Sequence, residues 1–287
     1  MRTRKPALLA APILAALMVA STALVGLPAQ AGYGDYGAFS TKCAYSHANN
    51  DDPILYPGEQ GAAHRHHYFG NTTTNYKTKT GSLENGAANC DRTEDHSSYW
   101  LPALYNDGVE IPYEAAHVYY RNTNVKDDTV IQPFPRGFRM IAGTDAHPEA
   151  PEGKGWRTAE WTCSDSPPGE GTPEVPASCH GAELVATVTF PSCWDGKRLT
   201  SADESHVVYP WENVKPNTCP ATHPVALPEL TEWVRWDPGT DYSGITIASG
   251  DSGTLHADFW NGWDVAEQLQ LVEDCLRVGQ ECGTVGD

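Results

Sequence analysis

Basic residues are scarce in this chain: 19 Lys and Arg stand against 37 Asp and Glu, a formal net charge of −18 at pH 7. That balance excludes a general nucleic-acid binder and a partner of anionic membranes, because phosphate recognition needs clustered Lys and Arg. It also disfavours strongly acidic polysaccharide unless a local basic groove or a metal compensates. No C-x-x-C pair occurs among the eight cysteines, which argues against a thiolate metal site. Ser192 in Ser192-Cys193-Trp194-Asp195-Gly196 lacks the G-x-S-x-G context of a hydrolase elbow, so a serine nucleophile is not expected. No internal repeat is evident, and nothing after Leu27 is apolar enough to span a bilayer. Phe and Met are few, six and three, against nine Trp and thirteen Tyr. Such amphipathic rings serve sugar-binding surfaces and β cores alike.

What is present begins with a leader. Arg2, Arg4 and Lys5 precede an apolar run from Ala7 to about Leu27, followed by Pro28-Ala29-Gln30-Ala31. The run is long enough for an anchor, but small residues at Ala29 and Ala31 and the lack of a basic flank favour cleavage before Gly32. The expected organisation is a signal peptide over 1–31, a flexible arm over 32–40, and a single disulfide-stapled β-rich domain over 41–287. All eight cysteines follow the cleavage point, as expected for an exported chain with up to four bridges. Cys163 with Cys179 and Cys275 with Cys282 are the plausible local pairs.

Short alternating runs separated by Pro, Gly, Asn and Asp predict strands at His64–Phe69, Val118–Arg121, Gly137–Ala142, Glu183–Phe190, His206–Tyr209, Glu232–Trp236, Gly244–Ala248 and Leu255–Trp260. Many short strands indicate a mainly β fold, a β-sandwich or jelly-roll-like domain with long loops. One C-terminal helix is expected, capped by Asp264 with Glu267 three residues on, and stopped near Gly279. Its expected apolar stripe is Val265, Leu269, Val272 and Leu276. The Pro- and Gly-rich stretch from Asp145 to Ser178 is expected to be an irregular surface excursion.

Chemistry concentrates in two dyads. In Ala63-His64-Arg65-His66-His67 a strand sends His64 and His66 to one face and His67 to the other, and His256-Ala257-Asp258 repeats the spacing. Should the two strands be neighbours, three imidazoles and a carboxylate converge, a set that suits one divalent Zn, Cu, Mn or Fe ion. Without metal, the same His and Asp groups serve as general acid and base, or simply as hydrogen-bonded pocket residues. Arg139, among apolar neighbours, is either a buried ion-pair partner or an anion-orienting group.

The segments AHRHHYFGNTTTN, SYWLPALY, FPRGFRMIAG, VTFPSCWDGKRL, SHVVYP, CPATHPVALP and HADFWNGWD together carry a resemblance over about Phe39 to Cys275. The chain resembles the secreted domain-of-unknown-function family nineteen ninety-six, found in actinobacteria and in fungi, where it is often joined to WSC carbohydrate-binding domains. It departs from the family pattern at Ala63, Arg65 and Ala257. The resemblance implies a shared pocket drawn from His64, His66, Asn71, Trp100, Tyr105, Arg139, Trp194, Asp195, His206, His223, His256, Asp258 and Asn261. It also implies a polysaccharide or cell-wall setting outside the cell.

The expectation is therefore a secreted carbohydrate-active enzyme, a polysaccharide hydrolase or lyase. His64, His66, His256 and Asp258 act as acid/base groups or metal ligands, and Trp100, Tyr105, Trp194 and Trp263 as stacking surfaces. A non-catalytic glycan- or wall-binding protein and a metal-binding or redox protein are the rivals that use the same cluster.

Overall fold

A computed structural model of the chain describes residues 37–113, 115–122, 130–143, 158–166, 170–210 and 218–283. The expected leader and the first part of the expected arm lie outside these residues. Ala38–Ser40, read as the end of that arm, instead begin a buried strand.

Fifteen strands are described: β1 (Ala38–Asn49), β2 (His66–Gly70), β3 (Ser98–Pro102), β4 (Leu104–Asn106), β5 (Val109–Ile111), β6 (Ala115–Arg121), β7 (Arg139–Gly143), β8 (Ala159–Cys163), β9 (Leu184–Thr189), β10 (Cys193–Trp194), β11 (Val207–Val208), β12 (Val225–Ala226), β13 (Glu229–Trp236), β14 (Ile245–Ile247) and β15 (His256–Trp260). Nine of them form one sheet in the order β7-β15-β3-β2-β1-β6-β13-β9-β8, and the other six form two three-stranded sheets, β11-β10-β12 and β14-β4-β5. The fold is mainly β and sandwich-like because β1 serves both halves of the large sheet. Its Ala38–Ala44 stretch pairs with β6, and after a register shift between Tyr45 and His47 the rest pairs with β2. A bulge of this kind bends the strand and turns one half over the other.

The main core lies between the halves. Phe39 stacks on Tyr120 at 4.6 Å, and the Tyr99 and Tyr120 hydroxyls meet at 2.6 Å. Trp263 donates its indole N–H to the Tyr120 hydroxyl at 2.9 Å. Strand β9 buries Leu184, Ala186 and Val188 on one face, and on the other it buries Val185 while leaving Thr187 and Thr189 partly open. Strand β8 is an addition, since Ala159–Cys163 falls in the stretch expected to be irregular.

The C-terminal helix α2 (Val265–Leu271; α1 is the short turn Thr80–Glu84) is capped as expected, the Asp264 carboxylate accepting from Ala266 and Glu267 N–H groups. Its buried face is different: Gln268, Leu271, Val272, Cys275 and Leu276 face inward, whereas Val265 and Leu269 are exposed. A π-helical turn over Val272–Leu276 and the Cys275 bridge rotate the helix away from the simple stripe.

Four disulfides join Cys43–Cys90, Cys163–Cys179, Cys193–Cys219 and Cys275–Cys282. Among the described residues no helix is long and apolar enough to cross a membrane. The Cys43–Cys90 bond closes a 47-residue separation next to β1. In the chain-entropy model that closure is worth about 4 kcal/mol. The Cys43→Ser/Cys90→Ser double variant is expected to lose about that much in urea unfolding, with the other three bridges intact by mass.

Candidate functional site

The face of β2, β3, β15 and β7 that turns away from the main core is itself buried. Alternation sends Phe69, Tyr99, Leu101 and Phe259 into the core, while Tyr68, Trp100 and Trp260 form a separate cluster on the opposite face. Antiparallel register carries that second face across the sheet: Tyr68 lies opposite Trp100, Trp100 opposite Asp258, and Asp258 opposite Ile141. His256, two residues before Asp258, lies opposite Gly143. Only glycine fits there: φ is +125°, and a Cβ would stand 2.5 Å from the His256 Cα.

Two loops cover this face. Asp51 organises the first: its carbonyl accepts from the Tyr68 hydroxyl at 2.5 Å, and its carboxylate accepts the Gly61 and Tyr76 N–H groups. The second, residues 199–206, docks on the edge strand β7. Leu199 accepts from Arg139 N–H, His206 Nε2 donates to the Arg139 carbonyl at 2.8 Å, and Glu204 Oε2 accepts from Ile141 N–H at 2.9 Å. Between the loops lies a cleft of about 420 Å³ whose lining includes Asp52, Tyr56, His64, Ile141, Glu204 and His256.

Three imidazoles converge at the cleft. Ring centroids are 4.2 Å apart for His64 and His66, 5.0 Å for His64 and His256, and 6.1 Å for His66 and His256. One ring nitrogen from each lies within 4.8 Å of the other two. A carbonyl oxygen only accepts, so the nitrogen facing one carries the proton. His66 Nδ1 faces the Asp51 carbonyl at 3.2 Å and His256 Nδ1 faces the Thr254 carbonyl at 3.0 Å. Both rings therefore hold their lone pair on Nε2, the arrangement by which a second partner fixes the tautomer of a metal-ligating histidine. Burial, reinforced by His64 and His256, holds His66 well below the usual imidazole range. It is neutral, and so able to ligate, at neutral pH. His66 Nε2 has no hydrogen-bond partner among the described residues although the ring is fully buried.

Asp258, expected as a fourth ligand, falls outside this set. Two residues along β15 from His256 is a displacement of about 7 Å on the same face, where Asp258 is buried in register with Trp100 and Ile141. Burial raises its carboxyl well above the ordinary range, with Asp52, Glu232 and Glu204 adding to the effect.

Two acidic residues that the sequence did not single out face the cleft instead. Glu204 is pushed up to about 8 by burial, with further contributions from Asp203 and Asp52. Its backbone sits at φ +53°, a conformation costing a non-glycine residue on the order of 1 kcal/mol, and the two-sided docking of its loop on β7 holds it. Burial likewise raises Asp52, against the pull of the Leu55 and Ile54 N–H groups on its carboxylate. The only signal for Glu204 was its place directly before Ser205-His206, and Asp52 lies just upstream of the first histidine motif.

The remaining expected residues separate into supports. Trp100 is fully buried beneath Tyr68, at 5.4 Å between rings, and is a floor rather than a stacking surface. Trp263 belongs to the main core. Asn71 brackets the chain, donating to the Leu83 and His96 carbonyls, and Asn261 does the same for the Phe134 and Pro135 carbonyls. Asp195 closes its turn by accepting Lys197 and Arg198 N–H groups and pairing with the Arg198 guanidinium, which lower its carboxyl to about 2. Trp194 packs edge-on against Phe138 and donates to the Arg198 carbonyl. His206 and His223 brace the second loop, the latter against the Ser205 carbonyl. Tyr105 sits in the small β14-β4-β5 sheet and does not line the cleft. Arg139 lines a second cleft, on the same face.

A family model described as domain of unknown function (DUF1996) matches residues 52–263, a span that contains the three histidines and both clefts' acidic and basic residues. No curated protein and no solved structure matches the chain.

Proposed function

We propose, for a chain that belongs to the family described as domain of unknown function DUF1996, a secreted carbohydrate-active enzyme that cleaves an extracellular polysaccharide at one divalent metal ion. The observation that carries this reading is the His64–His66–His256 cluster, with two of its tautomers set by carbonyls and one ligand nitrogen from each ring within 4.8 Å of the others. Three imidazoles suit Zn or Cu(II), and a three-protein-ligand site leaves a position open for water or substrate. Bound there, the ion supplies Lewis acidity and an activated water.

The chain's own groups supply the rest. Glu204, protonated near neutral pH, stands in the cleft as proton donor to a leaving sugar oxygen. Asp52 is the second carboxyl there. The wide exposure of Leu55 and Tyr56, 46% and 40%, gives the cleft rim an apolar and aromatic surface on which sugar rings can lie. Four disulfides support the extracellular setting.

The test is direct. Protein stripped with chelator, then reloaded with Zn(II) or Cu(II), is incubated with neutral and acidic polysaccharides, and new chain ends are measured. Cleavage that vanishes on stripping and returns on loading supports the reading. Glycan binding without any cleavage in either state sinks the enzyme in favour of a binding module.

A further inference from the structure

Beside the histidine cleft lies a second opening of about 730 Å³, lined by Pro53, Pro57, Gly58, the Tyr76–Gly81 stretch, Arg139 and Trp260. Its charge runs against the rest of the molecule. Only 19 residues of the chain are basic, and Lys77, Lys79 and Arg139 all line this opening.

Arg139 is the informative member. Its guanidinium carbon lies 3.7 Å from the centre of the Trp260 ring, so the fork sits over an indole. The other described arginines that form ion pairs have carboxylates: Arg65 with Glu110, Arg136 with Glu84, Arg198 with Asp195, Arg235 with Glu183, and Arg277 with Glu273. Arg139 has none among the described residues, and its Nε is buried without a hydrogen-bond acceptor. Burial depresses its basicity, and no neighbouring carboxylate opposes that effect. Lys77 and Lys79 form no ion pair among the described residues either. Lys77 lies 5.1 Å from the centre of its neighbour Tyr76. A half-buried guanidinium costs free energy unless an anion meets it, and a planar fork matches a carboxylate or sulfate in two parallel hydrogen bonds.

The register gives the distance to the histidines. Arg139 pairs with Trp260, and four residues along the same ladder Gly143 pairs with His256. At about 3.4 Å per residue the two positions stand roughly 14 Å apart, the span of a few sugar rings. Residues 52–58 border both clefts, Asp52, Leu55 and Tyr56 on one side and Pro53, Pro57 and Gly58 on the other.

We infer that this opening is an anion subsite and that the substrate is an acidic polysaccharide, with a carboxylate or sulfate of one sugar held by Arg139, Lys77 and Lys79 while a neighbouring linkage lies at His64, His66 and His256. The inference rests on the polysaccharide-cleaving reading and names its substrate class. It also meets the objection raised by the acidic surface, since the local basic groove supplies what the net charge denies.

The experiment compares binding of polygalacturonate, a sulfated galactan and a neutral glucan by isothermal titration at low and moderate salt, alongside cleavage of each. Wild type is expected to prefer an acidic chain, with affinity falling as salt rises, and the stronger of the two acidic ligands tells carboxylate from sulfate. Arg139→Gln is expected to weaken that binding about tenfold or more, leaving the neutral glucan unaffected. Because Arg139→Gln also loses packing on Trp260, the exposed pair Lys77→Gln/Lys79→Gln is measured as well, with an expected severalfold loss and unchanged melting. Equal binding and equal cleavage of neutral and acidic chains by wild type and variants overturn the anion subsite while leaving the enzyme reading intact. Acidic binding with no cleavage of any chain supports the subsite and sinks the enzyme. Absence of binding and cleavage for all three overturns both.

Discussion

His66→Ala is expected to abolish metal binding at the cleft and, with it, polysaccharide cleavage. Chelator-stripped wild type titrated with Zn(II) should take up one equivalent, and the variant's affinity should fall at least about 100-fold, more than the loss typical of removing an outer-shell partner. The reason is local. His66 is the fully buried ring of the three, is locked by its Nδ1 proton on the Asp51 carbonyl, and lies 4.2 Å from His64. Its removal leaves two imidazoles, too few to hold an ion against water. His67→Phe is the control that separates ligation from folding. His67 is just as buried, but its Nε2 meets Glu110 at 2.9 Å and its ring packs against Tyr45 and Tyr113 on the core side. That variant is expected to lose stability and keep the metal. Identical Zn(II) affinity in wild type and His66→Ala would put the ion elsewhere or nowhere.

That adjacent histidines have opposite fates was legible in the sequence, because strand alternation alone separates His66 from His67. So was the pairing of the dyads as a question, although not as an answer. It took the β2-β3-β15 order to bring His66 and His256 onto one face, with β3 inserted between their strands. The strand that carries the fold, β1, was not legible. Its sequence, Ala-Phe-Ser-Thr-Lys-Cys-Ala-Tyr-Ser-His-Ala-Asn, alternates weakly, because it pairs with β6 in its first half and β2 in its second. A strand that changes partners has no single buried face to announce.

The Trp residues misled for a related reason. Trp100 and Trp263 were read as stacking surfaces, but the second face of an antiparallel sheet is open only where nothing covers it. Here loops cover that face, so Trp100 becomes a floor, while Trp263 closes the main core from the end of β15. The same covering creates the acidic member of the site. A Glu before Ser205 in a polar loop has the sequence character of a solvated surface residue. Only docking of residues 199–206 on β7 buries it and turns its carboxyl toward the histidines' cleft.

Glu204→Gln is accordingly expected to lower kcat by about 10²–10⁴ while leaving metal and substrate binding near wild type, since glutamine keeps the shape and can still accept from Ile141 N–H but cannot give up a proton. Wild-type kcat should fall as pH rises through about 8, where the acid is lost, and the variant should lack that limb. Stability supplies an independent reading of the same proton. The folded-state pKa lies above the unfolded value of 4.5, so the folded protein holds a proton that the unfolded chain releases. The contribution is complete below about pH 4.5 and disappears as pH rises to about 8, with a slope of about 1.4 kcal/mol per pH unit between them. Buried His66, His67 and His206 are depressed below 6.5 and act in the opposite direction, adding stability as pH rises toward that value. The difference between wild type and Glu204→Gln cancels them, leaving the carboxyl's slope from urea unfolding at pH 5, 6, 7 and 8. A variant with unchanged kcat and an unchanged pH slope would show Glu204 to be ionised and idle. One with the stability slope removed but full activity would leave the buried proton in place and take the proton-donor role away from it.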